Sequence, residues 1–267
     1  MLYLRKVGGF FMEFEIKKKN GLKTIIAYLL IFEILSVLVA LAVKFIYQSQ
    51  NLDILEPENY NFASSLINLV VYVILFIAIM FLNHKELLTD VKEFGKEKNH
   101  IVLKVLAGYG IFYIINGSCS LLVSNIEYYG NFMHQVLHTG KEIITTAENQ
   151  SAIEEIVHSN GFWMMALSAG IIGPICEEVV FRKAFFNICK TKEMGILLSS
   201  ICFGLIHMTS SIGQFDTFSL ILMTLPYVFS GFAFGLLYIK NDCNIMVPTI
   251  VHMLSNIISL FAIAFFM

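Results

Sequence analysis

Charge is scarce in this sequence. Asp, Glu, Lys and Arg supply 14% of its 267 residues, against 57% apolar residues and a mean hydropathy of +0.73. A soluble domain carries about 25% charged residues, so the shortage excludes an ordinary soluble domain and points to the membrane. Paired cysteines are lacking too. Cys119, Cys176, Cys189, Cys202 and Cys243 are odd in number and scattered, which leaves no disulfide framework and predicts buried, inert thiols. No small-residue cleavage site follows the first apolar segment, so that segment is expected to stay as a helix, with Met12 an alternative start to Met1. There is no low-complexity linker and no internal repeat.

Apolar length is present in abundance. A bilayer crossing needs roughly 20 residues, and segments at 22–47, 63–84, 101–124, 161–189, 194–209, 218–239 and 245–266 qualify, the fifth being short. The fold class expected is therefore all-α: a polytopic membrane bundle of about seven helices, eight if one is broken. With the N-terminus cytoplasmic, only Lys44 and Lys141 of the 18 basic residues fall outside, as the positive-inside rule requires. Acidic loops at 48–62 and 125–160 fall outside, and Trp163 marks the outer interface. Residues 1–160 are expected to hold the N-terminal membrane helices, with an outer amphipathic segment at 127–160, and residues 161–267 to form the catalytic core. The cell membrane is the expected location, multi-pass. The bilayer and a membrane-associated peptide or protein are the expected partners; no nucleic acid is.

Against that apolar background, Glu177, Glu178 and Arg182 in 172-IGPICEEVVFRKAFF-186 stand out. A charge at membrane depth is costly and faces a protein interior or a wet cavity. Glu178 and Arg182, four apart, share a helix face and can pair. Glu177, rotated by about 100°, points elsewhere and stays available. Pro174, just upstream, removes a backbone hydrogen bond and bends the helix. Two later segments repeat the anomaly with 203-FGLIH-207 and 252-HMLSN-256. Counted from the cytoplasmic ends, Glu177, His207, His252 and Asn256 all lie at about 15–21 Å depth. A lone intramembrane histidine is ordinarily an interhelical hydrogen-bonding residue; four polar groups in one layer are not so easily dismissed. Glu33 in the first span is expected to be a packing or cavity residue, and Tyr227 and Ser230 to be packing residues. His134–His138 and Glu154-Glu155-Ile-Val-His158 imitate metal helices, but the first has Gln where the general base belongs and the second has no third partner.

E-E-x-x-x-R at Glu177–Arg182, F-x-x-x-H at Phe203–His207 and H-x-x-x-N at His252–Asn256 together resemble the CAAX protease and bacteriocin-processing family of intramembrane endopeptidases. This family includes the Ras-converting CAAX endopeptidases and bacteriocin self-immunity proteins. The likeness covers about 161–260; Lys183 departs from it, since many members carry Gly there. The resemblance implies that Glu177 activates a water held and polarised by His207. His252 and Asn256 would stabilise the oxyanion, while Glu178 and Arg182 support the geometry. Glu177, His207 and His252 would also suffice for zinc. Asn256 is a poor zinc ligand and a good oxyanion donor, so no cofactor is expected, with zinc as the alternative. Leader peptides, pheromones, bacteriocin-related peptides and CAAX-type proteins are the substrates the family suggests. A membrane transporter and a non-catalytic immunity or scaffold protein remain the alternative functions; a transporter would more often show paired halves.

Overall fold

The structure, a computed structural model, describes residues 17–96, 100–137 and 142–266. Residues such as Arg5, Lys6, Met12, Lys98, His138 and Lys141 lie outside these. Eight helices account for nearly all the described residues, and no strand occurs among them. They are α1 (Lys17–Ser49) and α2 (Pro57–Lys96), then α3 (Ile101–Leu137) and α4 (Glu148–Val157). After these come α5 (Phe162–Ile188), α6 (Lys192–Ile206), α7 (Thr217–Lys240) and α8 (Met246–Phe266). Six of them, α1, α2, α3, α5, α7 and α8, are long and apolar enough to cross a membrane. The protein is a multi-pass membrane bundle.

The fifth expected span is different. α6 has 15 residues, about 22 Å at the helical rise, short of the roughly 30 Å hydrocarbon layer. It stops at Ile206, and a 3₁₀ turn at Thr209–Ser211 leads back to α7. α6 holds its place by close backbone approach to α7: a Cβ on Gly231 would lie 2.9 Å from the Ser200 Cα. Small residues at such crossings let membrane helices pack where lipid offers no hydrophobic drive. At the other edge, a Cβ on Gly21 would lie 2.6 Å from the Ala184 carbonyl oxygen, so only glycine lets α1 lean on α5 there.

The outer segment also differs from expectation. α3 continues as helix to Leu137, residues 142–147 are irregular, and only Glu148–Val157 forms a separate helix. α4 does not lie free on the surface. Its Ile156 and Val157 are buried against Met165 of α5 and Leu260 and Ile263 of α8. The irregular strap is tied on both sides: Asn131 Nδ2 donates to the Ile143 carbonyl at 2.8 Å, and the Ile144 N–H donates to Ser219 Oγ at 3.3 Å.

α5 is the most enclosed spanning helix and α1 the least. Cys176, Val179, Val180 and Phe181 of α5 form a core with Tyr28, Leu75, Ile79, Phe203 and Tyr238. Polar contacts pin the end of the bundle that carries the basic residues. Thr24 and Asn83 hydrogen-bond between α1 and α2. Lys183 Nζ reaches Asp90 Oδ1 at 2.7 Å, while Asp90 Oδ2 accepts the Ile245 N–H at 3.2 Å. The non-family lysine is thus one half of a buried ion pair joining α5, α2 and the turn before α8. Glu33 is exposed on α1, not packed as expected.

Candidate active site

α5 owes its local shape to two π-helical stretches, Ser168–Ile172 and Val179–Ala184, which bracket the short α-helical turn holding Glu177 and Glu178. Such bulges release backbone carbonyls and frequently sit at functional sites. Pro174, at the start of that turn, has no N–H to leave unpaired where the π-stretch ends.

The expected division of labour between the two glutamates appears in the contacts. Glu178 is fully buried and accepts from Arg182: Nε to Oε2 at 2.9 Å and a longer Nη2 contact at 3.5 Å to Oε1. Arg182 is also fully buried, donates to Ser199 Oγ at 3.2 Å, and lies 5.7 and 5.8 Å from the ring centres of Phe203 and Phe234. Its charge is met by a carboxylate, a hydroxyl and two aromatic faces. Glu177 takes no part in this. Its Oε1 accepts from the Tyr72 hydroxyl at 3.1 Å, and its Oε2 lies 3.7 Å from His252 Nε2.

The histidines are oriented by groups that can only accept. His207, at the broken end of α6, sets Nδ1 2.8 Å from the Phe203 carbonyl oxygen, so Nδ1 carries a proton and Nε2 is left to the cavity. His252 sets Nδ1 3.0 Å from Glu178 Oε1, which turns its Nε2 toward Glu177 by the same logic. Aromatic rings fix both imidazoles: Tyr227 stacks on His207 at 4.5 Å, and Phe234 stacks on His252 at 4.4 Å. Asn256, one turn beyond His252 on α8, donates one amide hydrogen to the Ala169 carbonyl at 2.9 Å, inside the first π-stretch. Among the described residues, its second amide hydrogen has no such engagement.

A cavity of about 810 Å³ brings Glu177, His207, His252 and Asn256 together on its wall. Glu178 and Arg182 stand behind that wall. Tyr72, Tyr227 and Ser230 line it as well. Tyr227 and Ser230, expected to pack, thus sit on the cavity wall, where Tyr227 stacks on His207. Tyr72 had no signal of its own in the sequence: a tyrosine in an apolar helix is commonplace, and α2 lies outside the motifs. Among the described residues, no three His, Cys, Asp or Glu side chains are grouped so as to hold a metal ion. The Glu154–His158 imitation stays incomplete, and His134–His138 reaches outside the described residues.

Comparison with known proteins follows the same residues. A 207-residue region is 26% identical to an uncharacterized protein of Mycoplasma capricolum, covering 76% of this chain and 57% of that one. Over 163 residues the chain is 31% identical to the "Putative membrane peptidase YdiL" of Bacillus subtilis, covering 60% of this chain and 57% of that protein. Over 127 residues it is 29% identical to the UPF0177 protein YxdF of Lactococcus lactis, covering 48% of this chain and 66% of that protein. The chain thus spans between about half and two thirds of the length of the curated relatives it matches. No solved structure matches it. The family model for type II CAAX prenyl endopeptidase Rce1-like proteins matches residues 159–258, which takes in Glu177, His207, His252 and Asn256 and ends just past the last motif. Over that segment the chain is similar to the Rce1-like CAAX endopeptidase family.

Proposed function

We propose that the protein is an intramembrane endopeptidase of the glutamate type, cleaving a membrane-associated peptide or protein. The observation that carries this reading is a carboxylate at membrane depth, Glu177, left unengaged by the neighbouring arginine, 3.7 Å from His252 Nε2 and lining the same cavity as His207. Glu177 takes a proton from a water that His207 Nε2 holds by accepting its other hydrogen. The resulting hydroxide attacks the scissile carbonyl carbon, and charge gathers on the carbonyl oxygen. The His252 ring, held between Glu177 and Glu178, and the second amide hydrogen of Asn256 stabilise that oxyanion. When the C–N bond breaks, Glu177 returns its proton to the leaving nitrogen. No resident metal is needed for these steps.

Peptides from cells carrying the wild type or Glu177→Gln, compared by mass spectrometry, identify the substrate and test the general base together. The variant is expected to reach the membrane in wild-type amount and to lose the cleavage products. Cleavage by the purified variant within about threefold of wild type contradicts the assignment, since a general base contributes about 10²–10⁴.

A further inference from the structure

The cavity is not closed on all sides, and its lining shows which end it opens toward. Toward the basic end, Phe181 and Tyr238 belong to a packed core and do not line the cavity. Toward the other end, the lining runs through Asn61 near the start of α2, Ser210 after α6, and Gln150, Glu154 and Glu155 of α4. All of these belong to the end opposite Lys85, Lys92, Lys190 and Lys240. The charges at that end are one-sided: Asp53, Glu56, Glu58, Glu127, Glu142, Glu154, Glu155 and Asp216, with Lys44 the basic residue among those described. Deep in the cavity, Asn116 of α3 has its carboxamide oxygen buried without a hydrogen-bond partner. A buried acceptor left unsatisfied is destabilising unless a water or a ligand's N–H fills it, and a peptide backbone can supply that donor.

Resting on the peptidase reading above, we propose that the substrate enters from the extracytoplasmic side, beneath α4, as an extended cationic peptide segment. Asn116 accepts a backbone N–H near the cleavage site, and Glu154 and Glu155 receive a basic side chain at the mouth. The positive-inside rule places the lysine-rich end in the cytoplasm, so the acidic mouth faces outward. The anionic rim raises the local concentration of cationic peptides and repels acidic ones.

The test reads access without needing catalysis. Ser210→Cys, at the exposed rim, is treated in intact cells with a membrane-impermeant maleimide, alongside Lys190→Cys at the opposite end and the wild type. Ser210→Cys is expected to label in intact cells and Lys190→Cys only after permeabilisation; the reverse pattern, or no labelling of Ser210→Cys from outside, overturns the proposal. A short Lys/Ala peptide added outside should then slow Ser210→Cys labelling by about threefold or more at low salt. A Glu/Ala peptide should not, and Glu154→Gln/Glu155→Gln should remove the protection. Equal protection by both peptides, or by neither, overturns the cationic-substrate claim. Labelling is independent of turnover, so a catalytically silent Glu177→Gln result would fail the peptidase reading while leaving the access result to stand or fall alone.

Discussion

Glu178→Gln is the most informative single change at this site. The amide keeps the size of the side chain but removes the charge that meets Arg182, whose guanidinium is fully buried and bonded at 2.9 Å. Removing one partner of a buried ion pair costs about 3–5 kcal/mol, because the other charge remains with no countercharge. Ser199 and the two phenylalanine faces still contact Arg182, which argues for the lower end, about 3 kcal/mol. Folded proteins hold only about 5–15 kcal/mol in total, and about 2–4 °C is lost per kcal/mol in a chain of this size class. A drop of about 6–12 °C in the thermal unfolding of detergent-solubilised protein is therefore expected, together with reduced membrane yield. His252 loses its carboxylate partner as well, so activity should fall even in the fraction that folds. The double variant Glu178→Gln/Arg182→Met removes both charges and should recover most of the lost stability without recovering activity. If Glu178→Gln melts within about 1 °C of wild type, Arg182 is not held by this pair and the account of the site's support is wrong.

Other perturbations separate the remaining claims. Asn256→Ala should lower turnover by about 10²–10³ with little change in KM, since an oxyanion donor acts in the transition state; a change confined to KM would place Asn256 in substrate binding instead. Prolonged chelation should leave cleavage intact, and metal analysis of the purified protein should find no stoichiometric zinc; restoration of a chelated enzyme by zinc would replace the glutamate mechanism with a metal one. Lys183→Met should destabilise the protein by about 3 kcal/mol, because Asp90 is left buried without its cation, yet the remaining enzyme should cleave normally; calorimetry and a rate measurement on the same sample check both halves. Reporters fused after Lys92 and after Gln150 should lie on opposite sides of the membrane, the first cytoplasmic.

Much of this arrangement is legible from local spacing. The Glu178–Arg182 pair follows from four-residue separation, and the freedom of Glu177 from a rotation of one residue. The common layer of Glu177, His207, His252 and Asn256 follows from helical rise, and they do line one cavity. What spacing cannot show is contact between distant segments. Tyr72 bonds a glutamate 105 residues away and Lys183 an aspartate 93 residues away, and neither residue type is unusual where it stands. Hydropathy also marks where lipid begins, not where a helix ends. α2 and α3 therefore run well past their apolar stretches, and residues 127–137 prolong α3 where a surface segment was expected. The end of α6 at Ile206 falls within three residues of the end expected at 209, because polar Thr209, Ser210 and Ser211 follow it.

The π-stretches of α5 set angular phase. A π turn holds an extra residue compared with the α-helix it interrupts, so everything beyond Ser168–Ile172 is rotated relative to an uninterrupted helix. Each residue advances the helix by about 100°, the same angle that separates Glu177 from Glu178. Straightening that stretch without removing a residue would restore the backbone bond the bulge forfeits and turn the following residues by about 100°, setting Cys176 where Glu177 now faces the cavity and turning Glu177 away from Tyr72 and His252. Such a protein could gain helical regularity and still lose its reactive carboxylate. The irregularity in α5 is thus a clutch between two halves of one helix: the outer half is keyed to α4 and α8, the inner half is held through Arg182 and Lys183, and the setting between them decides which side chain faces the cavity.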